Sequence, residues 1–100
     1  MNSVRLAGKV SRVKPVQYTP AGDALCEFTL AVPQTYLNRE SIGYFEVMVV
    51  GELAEGLQLR MKIGKAVQVE GKLWMRAFKN RQGNRVTDTK IFVEKIEESP

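Results

Sequence analysis

Residues 66–78, AVQVEGKLWMRAF, decide the fold because small or apolar residues occupy every second position from Val67 to Ala77. Alternation with a period of two predicts a β-strand whose two faces meet different surroundings. The sequence Asn80-Arg81-Gln82-Gly83-Asn84 follows with turn chemistry, and residues 86–96 supply a further strand. We therefore predict a long β-hairpin here. The face expected to pack in the core is Val67, Val69, Gly71, Leu73, Met75 and Ala77; the opposite face is Gln68, Glu70, Lys72, Trp74, Arg76 and Phe78.

Three shorter strands precede this hairpin. Alternation predicts strands at residues 4–10 and 26–32, joined by a turn at residues 18–23 into a hairpin. Pro33 is expected to end the second strand and to open an exposed loop that runs to Gly43. A third strand follows at residues 44–50, where Tyr44 is expected to face outward because its hydroxyl group prefers water or a partner.

A short helix is expected after Gly51. Leu53, Leu57 and Met61 recur at helical spacing, and Gly64 is the predicted end of the helix. Three strands, a helix and two strands form the order of the OB-fold. We therefore predict an all-β chain with one short helix: a five-stranded Greek-key barrel with the helix between strands 3 and 4. The predicted domain covers residues 1–97, and residues 98–100 form a short C-terminal end.

Composition narrows the classes of function. The 100 residues are 44% apolar and 26% charged, which is typical of one globular domain, and no apolar run is long enough to cross a membrane. The first residues show no secretory signal, so we expect a cytoplasmic location. The sequence has no His, and its one cysteine, Cys26, has the setting of a buried side chain. We predict no enzymatic activity, no catalytic residues, no metal and no cofactor.

The outer face of the fourth strand is the candidate binding site. Trp74 and Phe78 alternate there with Lys72 and Arg76, on the side where a core does not need them. Unstacked bases lie on aromatic rings with about 1–3 kcal/mol each, while Lys and Arg neutralise the flanking phosphates. This arrangement favours single-stranded nucleic acid without strong sequence preference. Alternatively, the two rings cover the open side of the barrel, pack under the hairpin that turns in the 80s, or fill a subunit interface.

Positive charge concentrates in the same hairpin. Lys and Arg outnumber Asp and Glu by 15 to 11 in the chain, giving a net charge of +4. Residues 72–90 contain Lys72, Arg76, Lys79, Arg81, Arg85 and Lys90 against a single acid, Asp88. We predict phosphate contacts from Lys72, Arg76, Lys79, Arg81 and Arg85.

Several strings resemble a known family. These are Asn2-x-Val4-x-Leu6-x-Gly8-x-Val10, Tyr18-Thr19-Pro20-x-Gly22, Phe28-x-Leu30-Ala31, Val49-Val50-Gly51-x-Leu53-Ala54-Glu55, Gly64-Lys65-x-Val67-x-Val69-Glu70-Gly71-x-Leu73 and Gln82-Gly83. In this order, from residue 2 to about residue 96, they are similar to the bacterial single-stranded DNA-binding proteins, which have the OB-fold.

The resemblance implies four stacking positions, which fall on Tyr36, Tyr44, Val50 and Phe78. Val50 departs from the aromatic pattern, and Trp74 stands where relatives are often basic and is expected to stack in its place. The predicted stacking set is therefore Tyr36, Tyr44, Trp74 and Phe78. Glu46 and Glu52 stand where relatives commonly carry basic residues, which predicts weaker backbone contact.

The resemblance also implies partners and a setting. It points to single-stranded DNA, a homo-oligomer (dimer or tetramer), replication or repair proteins, and a bacterial, nucleoid-associated protein acting in replication, repair or recombination. Two alternatives remain at this point. The chain also resembles primosomal replication protein N, a paralogue in replication restart, and the same barrel face suits a protein-interaction module.

Overall fold

In the computed structural model, which describes residues 1–57 and 59–98, the chain forms strands joined by short turns and one helix. The elements are β1 Val4–Val13, β2 Gln17–Tyr18, β3 Ala24–Tyr36, β4 Arg39–Val50, α1 Glu52–Leu57, β5 Ala66–Lys79 and β6 Arg85–Glu98. None of the helical structure in this part of the chain is long and apolar enough to cross a membrane.

The strands form a closed barrel. Their order in the sheet is β1-β5-β6-β4-β3-β2, and a further pairing of β1 with β3 closes it. Neighbours are antiparallel except β4 and β6, which run parallel. The predicted OB-fold is confirmed. The two-residue β2 is additional to the five predicted strands, and α1 lies between the third and fourth of those five, as expected.

The barrel interior is filled by side chains from every long strand and from α1. Leu30 of β3, Val49 of β4 and Val69 of β5 are fully buried, and Leu57 of α1 closes one end. Cys26 is buried among them, as predicted, and burial, with Glu27 beside it, raises the pKa of its thiol.

A β-bulge marks the point where β5 and β6 leave the barrel. Glu70 is opposite Lys95 but Gly71 is opposite Val93, so β6 has one extra residue, Glu94. A β-carbon on Gly71 would overlap the backbone carbonyl of Phe92, so only glycine fits this close approach. Bulges increase local twist and bend the strand, which directs the rest of the hairpin away from the core.

The prediction for the inner face of this hairpin was wrong in its second half. Val67, Val69 and Gly71 are buried, but Leu73 is 43% and Met75 60% exposed, and Ala77 is exposed as well. The pairing of β1 with β5 ends at Gly71, where β1 itself begins at Val4. Beyond that point no neighbouring strand pairs with the free side of β5 in the described chain, and the hairpin extends past the barrel.

The prediction that Pro33 ends the second strand was also wrong. β3 continues to Tyr36 and pairs with β4, with Pro33 opposite Ile42. Proline has no backbone N–H to donate to a ladder, but the pairing of β3 with β1 ends at Ala31, so β3 is an edge strand at Pro33. One side of β3 is therefore free at Pro33, and the missing N–H is tolerated.

The helix is shorter than its spacing predicted. It ends at Leu57 rather than Gly64, and the N–H groups of Arg60 and Met61 both donate to the Leu57 carbonyl in a turn. Gly56 lies in the last helical turn, where glycine is unfavourable. Met61 nevertheless packs in the core, which is the part of the helical spacing that was correct.

The C-terminal residues divide at the end of β6. Glu98 is the last residue of that strand, and residues 99–100 of the predicted C-terminal end lie outside the described residues. The Glu98 carboxylate bonds to Lys65 and lies 3.4 Å from Arg60. Glu98 thus ties the end of β6 to the segment that enters β5.

Candidate nucleic-acid interface

Two antiparallel ribbons project from the barrel and carry all the predicted binding residues. The β3–β4 ribbon (residues 32–43) begins where β3 loses its pairing with β1. The β5–β6 ribbon (residues 72–90) begins after Gly71 and ends at the turn of residues 80–84. Tyr36 lies in the first ribbon, Tyr44 at its base, and Trp74 and Phe78 in the second.

The outer face of the β5–β6 ribbon presents an aromatic and basic row. Trp74 and Phe78 are each 42% exposed, and Arg76 lies between them on the same face. The Arg76 Cζ atom is 5.9 Å from the centroid of the Trp74 ring and 5.0 Å from that of Phe78. Both distances are within cation–π range, so the guanidinium group interacts with the two rings. We call Lys72, Trp74, Arg76 and Phe78 the outer row.

Asp88 restrains Arg76 from the neighbouring strand. The two residues are directly opposite each other, and Arg76 Nε lies 3.7 Å from Asp88 Oδ2. The single acid of the basic hairpin therefore acts on the outer row. It holds one guanidinium close to the aromatic rings in the free protein.

The predicted phosphate-contacting residues divide between two faces. Lys72 and Arg76 share the face of the two rings. Lys79 and Arg85 form a cross-strand pair on the opposite face, together with Leu73 and Met75. Like charges directly opposite each other are destabilising, so this pair favours an anion beside it.

Arg81 lies in the turn, whose shape is set by Asn80. The Asn80 Oδ1 atom accepts hydrogen bonds from the backbone N–H groups of Gln82 and Asn84, each at 3.0 Å. The Asn80 N–H donates to the Asn84 carbonyl at 2.9 Å, and Gly83 supplies a positive φ of 82°. These bonds satisfy the turn internally and hold Arg81 at the tip of the ribbon.

The β3–β4 ribbon ends in a tight turn instead of the predicted loop. Tyr36 is opposite Arg39, and the two residues between them, Leu37 and Asn38, have φ values of 48° and 63°. Positive φ at both central residues is the geometry of a two-residue type I′ hairpin turn. Tyr36, 77% exposed, is thereby held beside a defined turn.

Tyr36 and Tyr44 are on different faces of this ribbon. Arg39 shares a face with its partner Tyr36, and Tyr44 is five residues further along β4, which alternation places on the other face. Tyr44 is 66% exposed and shares the outer side of the barrel with the outer row. Tyr36 lies on the face of the ribbon that continues the core-facing side of β3.

A cleft connects Tyr44 to the β5–β6 ribbon. The parallel pairing of β4 with β6 involves Val47 with Ile91 and Met48 with Phe92, and before these residues the strands diverge. The cleft has a volume of about 260 Å³. We call it the fork cleft; its lining is Tyr44, Phe45, Glu46, Leu73, Thr89, Lys90 and Ile91.

Two residues near the site differ from the sequence prediction: Lys90, counted among the basic residues of the hairpin, has an acidic partner, and Phe92 was missed. Lys90 donates to Glu27 on β3 at 3.3 Å, and Lys14 reaches the same carboxylate at 3.4 Å, so Lys90 is engaged by an acid. Phe92 is 38% exposed and lies opposite Lys72, which adds an aromatic ring beside the outer row. Alternation along residues 86–92 could have placed Phe92 there.

Val50 is half-buried, and Glu46 and Glu52 are exposed.

A family model agrees with the barrel and its two ribbons. The model of the single-strand binding protein family matches residues 1–99. The chain belongs to this family. The resemblance found in the sequence strings is confirmed.

Relatives of known name support the membership. Single-stranded DNA-binding protein 2 of Listeria innocua is 31% identical over 100 residues, which are 97% of this chain and 63% of the relative. The single-stranded DNA-binding protein of Deinococcus radiodurans is 29% identical over 102 residues, which are 97% of this chain and 34% of the relative. This member of the family therefore spans about a third to two thirds of the length of these relatives.

A solved structure has the same fold. It is a deletion mutant of the single-stranded DNA binding protein from Thermus aquaticus, with a TM-score of 0.86 and 25% sequence identity. The superposition covers all of this chain and 51% of the other. The barrel and both ribbons of the present family member thus follow a known architecture.

Proposed function

We propose that the chain binds single-stranded DNA with little sequence preference, and that the outer row is the centre of the site. The observation that carries this proposal is the placement of Trp74, Arg76 and Phe78 on one exposed strand face, with the guanidinium within 6 Å of both rings. Bases stack on the rings, and Lys72 and Arg76 neutralise the phosphates between them. Arg81 at the tip extends the path of the backbone.

The geometry favours single strands over a duplex. The two rings lie on an exposed β-ribbon and are surrounded by other side chains. Only a base with a free face can therefore lie flat on them. Tyr44, on the same outer side, extends the stacking surface toward β4. Tyr36 lies on the other face of its ribbon and contributes where a strand passes around the ribbon edge.

Binding rather than catalysis is the proposed mode of action. The chain has no His, and its one Cys is buried, which leaves no evident nucleophile paired with a base. In keeping with the family, we propose that the chain acts as a homo-oligomer in the bacterial cytoplasm, at the nucleoid, during replication and repair. The names of the relatives described above favour this function over that of primosomal replication protein N.

A titration of the protein with oligo-dT tests the proposal. Trp74 is the only tryptophan, so its fluorescence reports directly on the outer row. We expect quenching that saturates, and a logarithm of the binding constant that falls linearly with the logarithm of the salt concentration as counterions are released. Unchanged Trp74 emission together with no binding at low salt would contradict the proposal.

A second candidate function is suggested by the exposed apolar face of Leu73 and Met75. A protein partner could dock there, since large exposed apolar patches often mark interaction sites. Reversing the charge of Lys72, on the outer row, and of Arg81, at the tip, separates the two functions because neither residue lies on the apolar face. It weakens DNA binding and lowers its salt dependence if the proposal is correct, and leaves a docking contact through the apolar face largely unchanged.

A further inference from the structure

We propose that the fork cleft is a base-binding subsite in which Glu46 selects guanine. This inference rests on the proposed binding of single-stranded DNA and adds a specificity to one position along the strand. It concerns a residue that the general binding mode leaves unused, because a carboxylate repels phosphate.

Tyr44 and Glu46 are presented together at the cleft. They are two residues apart on β4, so their side chains project from the same face at a spacing of about 7 Å. The cleft is also lined by Phe45, Leu73 and Ile91, which give it an apolar part, and by Thr89 across the gap. Its volume of about 260 Å³ accommodates one base. A base that stacks on Tyr44 would therefore direct its edge toward Glu46.

The Glu46 carboxylate is available to a ligand. Lys90 lines the same cleft, but its ammonium group is bound to Glu27 at 3.3 Å. Within residues 1–57 and 59–98, no ion pair or side-chain hydrogen bond engages Glu46. The ion pair with Glu27 thus occupies Lys90. The carboxylate of Glu46 stays exposed, and its oxygen atoms are free to accept hydrogen bonds.

Guanine is the base whose edge complements a carboxylate. A carboxylate offers two acceptor oxygens and no donor. Guanine presents two adjacent donors, N1–H and the N2 amino group, so both oxygens are satisfied in a bidentate, charge-assisted pair. Cytosine and adenine place a ring acceptor beside their amino group, and thymine has one donor between two carbonyls. Each of these bases leaves one carboxylate oxygen facing an acceptor.

A competition experiment measures this preference. A fluorescein-labelled oligo-dT bound to the protein is displaced by unlabelled competitors: oligo-dT, the same strand with isolated guanines separated by two thymines, and that strand with inosine in place of guanine. Inosine keeps N1–H and lacks the N2 amino group. The weaker bidentate pairs between a side chain and a base discriminate against other bases by about five- to tenfold. We expect this lower value because the cleft is open to solvent.

We expect the guanine strand to compete about five- to tenfold better than oligo-dT, with the inosine strand between them. Glu46→Gln should abolish the difference between the strands, while oligo-dT itself is bound as well as or better than by the wild type because a negative charge is removed. Glu94→Gln, an exposed carboxylate outside the cleft, serves as the matched control and should keep the full preference. Because Glu46 is exposed, its replacement is not expected to disturb folding.

Two results overturn the inference while leaving the proposed function intact. One is equal competition by guanine, inosine and thymine strands with the wild-type protein. The other is a Glu46→Gln variant that binds every strand more tightly by the same factor, which would make Glu46 only a repulsive charge near phosphate. Failure of oligo-dT itself to bind would contradict the proposed function, and the subsite with it.

Discussion

The two halves of β5 have the same alternation of side chains and lie in different surroundings. In the first half, Val67 and Val69 fill the barrel core, whereas in the second half Leu73 and Met75 are exposed. The change occurs at Gly71, where β1 ends its pairing and β6 has its bulge. The first half stabilises the fold, and the second half leaves two faces available for a ligand. Alternation shows which residues share a face, but neighbouring strands decide whether that face is covered.

The largest expected effect comes from breaking the junction between the halves. Gly71→Ala places a β-carbon against the Phe92 carbonyl, and because backbone atoms must move to admit it, we expect a loss of about 3 kcal/mol in the free energy of unfolding. Met75→Ala, in the exposed half, should change it by less than about 0.5 kcal/mol. Urea unfolding of both variants measures this; similar losses would show that the two halves are not energetically distinct.

An intermediate effect is expected on the affinity for DNA, which should differ between substitutions on the two faces of the second half of β5. Phe78→Ala removes a ring of the outer row and should cost about 1–3 kcal/mol of affinity for oligo-dT. Met75→Ala alters the opposite face and should leave that affinity close to the wild-type value. Fluorescence anisotropy with a labelled oligonucleotide compares them. Equal losses would mean that the strand contacts both faces, and no loss in Phe78→Ala would place the site elsewhere.

The smallest effect concerns the carboxylate that ties β6 to the entry of β5. A hydrogen bond from Lys65, with Arg60 nearby, holds the pKa of Glu98 below its ordinary value, although partial burial acts in the opposite direction. Because the folded-state pKa is lowered, the contribution to stability is present above the ordinary Glu pKa of about 4.3 and is lost as the pH falls through the folded-state value.

We therefore expect Glu98→Gln to lower the free energy of unfolding by less than about 1 kcal/mol near pH 7. The difference from wild type should shrink as the pH falls below the ordinary Glu pKa of about 4.3, and it should vanish once the carboxyl group is protonated in both states. Glu94→Gln, whose carboxylate makes no ion pair in the described part of the chain, is the control. A difference that persists undiminished in acid would rule out the ion pairs as its cause.

Local patterns predicted most of the fold and part of the site. Alternation identified Val67 and Val69 as core and Trp74 and Phe78 as a separate face, since both depend only on positions along one strand. The exposure of Leu73 depends on where β1 and β4 leave β5 and β6, which no short stretch encodes. Pro33 was misassigned for the same reason: its tolerance depends on the end of the β1–β3 pairing at Ala31.

The candidate site shows the same division between local and long-range information. Alternation placed Arg76 between the two rings, but its ion pair with Asp88 depends on the register of β5 with β6 across the hairpin. Lys90 was counted with the other basic residues because its partner, Glu27, is 63 positions away. The resemblance supplied Tyr36 and Tyr44, and the register of β3 with β4 then placed them on different faces of one ribbon. The roles of all four aromatic residues in binding stay predictions.

The turn around Asn80 has a consequence for how such a protein can change over generations. Because the Asn80 side chain satisfies the turn from within, residues 80–84 need no bond to the barrel to keep their shape. Insertions and substitutions are best tolerated at exposed tips of this kind. Selection can therefore alter the length and charge of the hairpin, and with them its proposed contacts with nucleic acid, without a change in the barrel.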